Sequence, residues 1–342
     1  MTHRFIASAG AIASITVALV TLGTAGVSGQ TQASTAKTVD GQPDLQGKWN
    51  YSTITPYERP AEFAGKATFT AEEAAAFERA VLSNSNRDRR DEEDSSGGGG
   101  NRIVNGTIET DDLARAYNDF WWDSGTKVSK TNRTSLVVDP PDGRVPALTP
   151  AAQQRVATRR EVEARPAWGP EDRPAGERCI HQQKAGPPIV PGGYNNNLQI
   201  LQTPGYVAIV TEQIHEARII PLDGRPHVGP AIRQWKGDSR GRWEGKTLVV
   251  ETVNFKDRDV ASFRGSSPNM RLTERFSRLD ADTIVYEYTV DDPAAFTKPW
   301  TVRTTMTKFD EPMYEFACHE GNYGMVGTLS GARAVDKINA AK

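Results

Sequence analysis

The sequence is short of the features that identify a protein most quickly. Two cysteines among 342 residues are too few for a disulfide-dense miniature scaffold or a four-cysteine zinc site. Charge of one sign is lacking too. Its 41 basic and 43 acidic residues leave a net charge of −2, which argues against a nucleic-acid surface built on bulk positive charge. No Walker-type phosphate loop, dinucleotide glycine fingerprint or haem-attachment motif occurs, so the motifs for ATP, NAD and haem are missing. The helical His-Glu-x-x-His pattern, which sets two metal ligands on one face, is absent. Hydrophobic residues make up 37%, which is low but enough for a core, and wholesale disorder is excluded.

What is present begins with an address. Met1-Thr-His-Arg4 is positive, Phe5 to about Leu22 is apolar and small, and a polar Gly-Thr-Ala-Gly-Val-Ser-Gly-Gln stretch follows. That layout predicts a secretory signal peptide over residues 1–30 and a periplasmic or secreted product with no stable membrane anchor after cleavage. The competing reading is a retained anchor, since a spanning helix needs about 20 apolar residues. In an oxidising compartment, Cys179 and Cys318 are most simply a disulfide, with two buried thiols as the alternative.

Beyond the leader, residues 31–43 read as a flexible lead-in and 44–335 as a single mixed domain. Its first half, 44–200, is a strand, helix and loop region. Thr70-Ala-Glu-Glu73 is a capping box that predicts a helix to about Leu82. Asp111 to about Phe120 suits another, and Thr149-Pro150 opens a third that runs to about Arg165. Residues 87–100 form a charged, glycine-rich insert without apolar periodicity. In the second half, 201–330, Tyr206–Val210 and Ala217–Pro221 read as short strands and Lys246–Phe255 as a longer one; apolar and polar residues alternate along Met270–Leu279, and Thr283–Val290, Trp300–Met306 and Met313–Cys318 continue the rhythm. Turn signals fall at Pro141-Asp-Gly143, Leu222-Asp-Gly224 and Arg240–Gly245. The fold class expected is α+β, mainly β. An antiparallel meander closes into a barrel-like sheet, and helices and long loops from the first half pack on it.

Several stretches carry a resemblance: Pro43–Trp49, Tyr194–Asn197, Ala217–His227, Gly237–Gly245, Ser262–Gly265 and Cys318–Tyr323. Together they resemble a group of exported bacterial proteins of uncharacterised function. The hairpin Gly241-Arg-Trp-Glu-Gly245 with Thr247–Thr252 is also similar to lipocalin-type barrels, which implies a cup able to hold an apolar ligand.

Candidate chemistry gathers at strand ends. His215-Glu216 and His319-Glu320 pair an imidazole with a carboxylate, the seed of proton transfer or of a divalent metal site at His215 and His319. If the meander closes, both pairs are expected at one mouth. The plainer reading makes His215 a strand residue and His319 a strand cap, with His181 and His227 in loops. Tyr194, Asn195 and Asn196 are candidate substrate ligands or a turn. Trp121 and Trp122 are a candidate aromatic platform or a packing clamp. Arg264, in a loop of small residues, is placed to grip a carboxylate in two-pronged fashion or to pair with a protein acid. Two functions follow. One is a ligand or active site at the barrel mouth, with His/Glu acid–base or metal-assisted chemistry on a small polar or aromatic molecule. The other is a non-catalytic carrier or sensor of an apolar ligand.

Overall fold

Alternation of apolar and polar side chains decides which face of each strand turns inward. In Arg271–Asp280, Leu272, Glu274 and Phe276 are buried while Arg271 is exposed. In Thr283–Asp291 the inward set is Ile284, Tyr286, Tyr288 and Val290, and in Trp300–Lys308 it includes Trp300, Val302, Thr304 and Met306. The computed structural model that shows this describes residues 36–85, 102–104, 107–109, 122–182, 184–256 and 263–341. The expected leader, the insert at 87–100, the helix from Asp111 and Trp121 lie outside the described residues.

The strands are β1 Gly47–Asn50, β2 Arg102–Val104, β3 Thr107–Glu109, β4 Val137–Asp139, β5 Asn197–Thr203, β6 Tyr206–Thr211 and β7 Ala217–Pro221. They continue as β8 Asp238–Glu244, β9 Thr247–Val253, β10 Arg271–Asp280, β11 Thr283–Asp291 and β12 Trp300–Lys308. Nine antiparallel strands in the order β7-β6-β5-β1-β12-β11-β10-β9-β8 make a nearly closed, barrel-shaped sheet, and β4 pairs with β12. The hairpin β2–β3 stands apart from it. Short β1 joins the two meanders, with Trp49 opposite Leu198 on one side and Lys308 on the other.

The sheet ends, β7 and β8, meet without a ladder. Gly241 makes the meeting possible, because a Cβ there would sit 2.6 Å from Leu222 and 2.9 Å from Ile220. A mainly apolar interior fills the barrel. Trp300 packs edge-on against Phe296, Tyr57 and Tyr288 and stacks on Phe263.

Among the described residues three helices lie outside the sheet: α1 Ala71–Ser85, α2 Pro150–Ala164 and α3 Tyr323–Ala340. The capping box expected at α1 is made in both directions. Thr70 N–H donates to Glu73 Oε2 at 2.8 Å, and Glu73 N–H donates to the Thr70 hydroxyl at 3.2 Å. Thr149 caps α2 by accepting from Ala152 N–H.

The sheet differs from the sequence expectation in three places. Met313–Cys318 is an extended strap, because its N–H groups turn to Glu212 and His215 rather than to a strand. Arg240–Gly245 is mostly strand: β8 runs to Glu244 and only Gly245-Lys246 turns. A third helix, α3, follows the strap with Ala332 as its buried residue.

Among the described residues an ion pair crosses the interior. Arg218 on β7 grips Glu274 on β10 through two bonds of 2.6 and 3.1 Å. The Tyr286 hydroxyl donates to Glu274 at 2.8 Å and accepts from Ile189 N–H at 2.9 Å. Glu274 is fully buried and Arg218 nearly so, so each charge depends on the other. Replacing Glu274 by Gln should cost about 3–5 kcal/mol of stability in urea unfolding. The double variant Arg218→Met/Glu274→Leu should lose less than either single change.

Candidate functional site

Antiparallel order places the β6–β7 turn, the β9–β10 and β11–β12 loops and the start of β8 at one end of the barrel. The opposite end is closed by the chain before β1: Leu45 is buried, its N–H donates to Gln202 at 2.6 Å, and Arg278 donates to Asp44 O.

The β6–β7 turn holds the strap. Glu212, buried, accepts from Asn197 at 2.7 Å and from Tyr314 N–H at 3.2 Å. His215 Nδ1 accepts from Phe316 N–H at 2.8 Å. Cys179 and Cys318 form a disulfide with Cα atoms 5.6 Å apart, and Asn322 donates to Glu177 O. His215 is therefore fastened to the strap that carries His319. The two His-Glu pairs differ in their partners: Glu216 pairs with Lys236 at 3.1 Å, while His319 and Glu320 are exposed. Among the described residues no group of three or more His, Cys, Asp or Glu side chains is arranged to hold a metal ion.

The asparagine run is built into the backbone. Asn196 is fully buried, accepts from Gly192 N–H at 2.7 Å and donates to Asp123 O and Gly192 O. Asn195 adopts φ 54°, and its carbonyl accepts from the Tyr51 hydroxyl. Tyr194 is more open: its ring meets Trp122 edge-on at 6.0 Å, and the Lys184 ammonium lies 4.4 Å above it. Asn195 and Asn196 thus fix the chain, whereas Tyr194 faces outward.

Gly237-Asp-Ser-Arg-Gly241 matches the Gly-x-Ser-x-Gly spacing of a hydrolase elbow. Here it runs into strand β8, and the buried Ser239 hydroxyl is bonded to Thr252 at 2.9 Å. That is a structural serine rather than an exposed nucleophile. His227 is likewise held, its two ring nitrogens 2.8 Å from Asp238 and 3.2 Å from Glu251.

Arg264 lines a pocket of about 640 Å³ with Val145, Leu148, Val156 and Phe296 as apolar walls. Its polar members are Glu58, Arg159, Arg160 and Glu163. The Arg264 guanidinium lies 3.7 Å above the Tyr57 ring and 3.5 Å from Glu58. Burial pushes the Tyr57 phenol up to about 12, and its hydroxyl meets that of Tyr288 at 2.7 Å. Helix α2 forms the other wall: Arg155 donates to Gly265 O and Ala294 O, tying it to both loops. Gly265, at φ 85°, lets the loop pass Leu148 and Val156, each 3.1 Å from where a Cβ would stand. Sequence reading found Arg264 but missed Glu58, Arg159 and Arg160. The i, i+3, i+4, i+7 spacing of Val156, Arg159, Arg160 and Glu163 is the signal for their shared helix face.

A second set of polar groups is buried at this end. Lys236, nearly buried, is the partner of Glu216, and burial lowers its pKa against the opposing pull of Glu216. Burial, reinforced by the Lys236 charge, pushes the His181 imidazole down to about 4. Among the described residues, His181 Nδ1 has no hydrogen-bond partner, and neither amide atom of the fully buried Gln213 has one.

No protein-family model, curated protein or solved structure matches the chain.

Two outcomes follow. His181 stays neutral in the folded protein down to about 4, whereas the unfolded chain protonates it below 6.5. The unfolded state binds the extra proton across that window, so His181 makes stability fall as pH drops through it, by about 3 kcal/mol. Urea midpoints from pH 7 to 4 should decline less steeply in His181→Gln than in the parent. The disulfide spans 139 residues, so loop closure assigns it about 5 kcal/mol. Cys179→Ser/Cys318→Ser should lose stability on that scale, and amide exchange should speed up along residues 313–322.

Proposed function

We propose that the protein is an exported, non-catalytic binder of small organic acids with an apolar or aromatic body, taken into the Arg264 pocket at the barrel mouth. The observation that carries this reading is the state of Arg264. Its guanidinium is stacked on Tyr57 and meets Glu58 only at 3.5 Å, so a ligand carboxylate can claim the fork at little cost. Behind it, the walls of Val145, Leu148, Val156 and Phe296 suit an apolar body, and the volume falls within the usual range of about 300–1,000 Å³ for ligand sites. Arg160 adds a cation that has no ion-pair partner among the described residues.

Acid–base or metal-assisted chemistry at His215, Glu216, His319 and Glu320 has less support. His215 Nδ1 and the Glu216 carboxylate are already engaged, and the other two stand in solvent. Export is supported by the leader pattern in residues 1–30 and accords with the disulfide.

Calorimetry with octanoate and 4-phenylbutyrate, each compared with its neutral amide, tests the proposal. The acids should bind and the amides bind at least tenfold more weakly, since a charged hydrogen bond contributes about 1.5–3 kcal/mol. Arg264→Gln should weaken the acids about 10–100-fold with the melting temperature nearly unchanged. Equal affinity for acid and amide, or no loss in Arg264→Gln, would overturn it.

A further inference from the structure

The end of the barrel that holds the β6–β7 turn contains polar groups that the Arg264 pocket does not use. We infer that His181, Gln213 and Lys236 form a second, internal site for a small carboxylate of formate or acetate size, closed over by the disulfide-fastened strap. Three observations converge on it.

The first is unspent hydrogen-bonding capacity. Gln213 is fully buried with both its amide oxygen and its amide nitrogen unpartnered. His181 is more than nine-tenths buried, and its Nδ1 is unpartnered as well. An orphaned buried polar group typically costs about 1–3 kcal/mol, and natural interiors supply a partner for almost all of them. A ligand carboxylate, which only accepts, removes that cost for the Gln213 amide N–H groups and for a His181 Nδ1 that carries its proton.

The second is the balance of donors and charge. Lys236 gives Glu216 one of its three N–H groups, and Gln213 offers two more. Donors therefore outnumber acceptors, which selects a ligand made of acceptor oxygens. Glu216 is 40% exposed and screened by water, whereas the Lys236 side chain is 8% exposed, so the buried side of this pair is the cation. Arg218 adds nothing here, because Glu274 already occupies its fork.

The third is the turn itself. Gln213 is followed by Ile214 at φ 67° and His215 at φ 56°, left-handed conformations that a β-branched residue rarely adopts. Such backbone persists where its surroundings over-determine it. The strap supplies that hold here, through Glu212 to Tyr314 and His215 to Phe316. The strap is thus fastened on both sides of Gln213.

The test is independent of the Arg264 pocket. Formate and acetate are titrated by chemical-shift perturbation into the parent, Lys236→Met, Gln213→Leu and Arg264→Gln. The parent and Arg264→Gln should bind alike, with shifts centred on residues 179–182 and 212–216. Lys236→Met and Gln213→Leu should bind at least tenfold more weakly while keeping the parent's circular dichroism and amide shift dispersion, which shows that they are folded. Binding that is unchanged in Lys236→Met and Gln213→Leu, or lost in Arg264→Gln, overturns the inference. So does the absence of shifts at tens of millimolar ligand.

Discussion

The Arg218–Glu274 pair is the constraint on which the interior is arranged. An isolated carboxylate at that depth would be several kcal/mol out of balance, so Glu274 requires both guanidinium bonds and the Tyr286 hydroxyl. The pair spans strands near opposite ends of the sheet order and so fixes how far the barrel curls. Through Tyr286 it also sets the seat of Ile189, and hence of the segment that covers this end. The seam between β7 and β8 needs no ladder because Gly241 permits close packing and the ion pair pins β7 from inside.

Everything that resembles a site gathers at the end where loops replace hairpin turns. That end is divided by chemistry. On one side, α2 and the two long loops make an apolar cleft fringed by arginines, with Arg264 held by a ring below and a loose acid beside it. On the other, beside the strap and the chain around Cys179, Gln213 and the His181 Nδ1 are buried without hydrogen-bond partners among the described residues. The first side is open and suits an amphipathic molecule.

Much of the frame was legible because alternation survives wherever one face is wet. The long strands around Arg271–Asp280 and Thr283–Asp291 are examples, as is the Thr70–Glu73 box. Where both kinds of cue are weak, reading fails. β8 contains two arginines, a glycine and a tryptophan, and its turn-like composition masks a strand needed at the seam. The strap alternates like a strand, yet its partners are side chains. Asn196 and Arg264 were both read as polar loop residues. Only coordinates separate the one that ties the backbone from the one that faces a cleft. Lys236 and Gln213 gave no signal, since burial of a lone polar residue in a connection depends on what the rest of the chain lays over it.

The place of β1 carries a consequence for how the molecule is made. This four-residue strand is met early in synthesis, yet one of its neighbours, β12, lies some two hundred and fifty positions downstream. Two runs of adjacent hairpins can zip up by local pairing, but the stitch between them waits for the last strand to emerge. Distant pairing of this sort is slow because chain closure must precede any reward. Until then each half shows a bare edge, and assembly ends with the insertion of a short central splint.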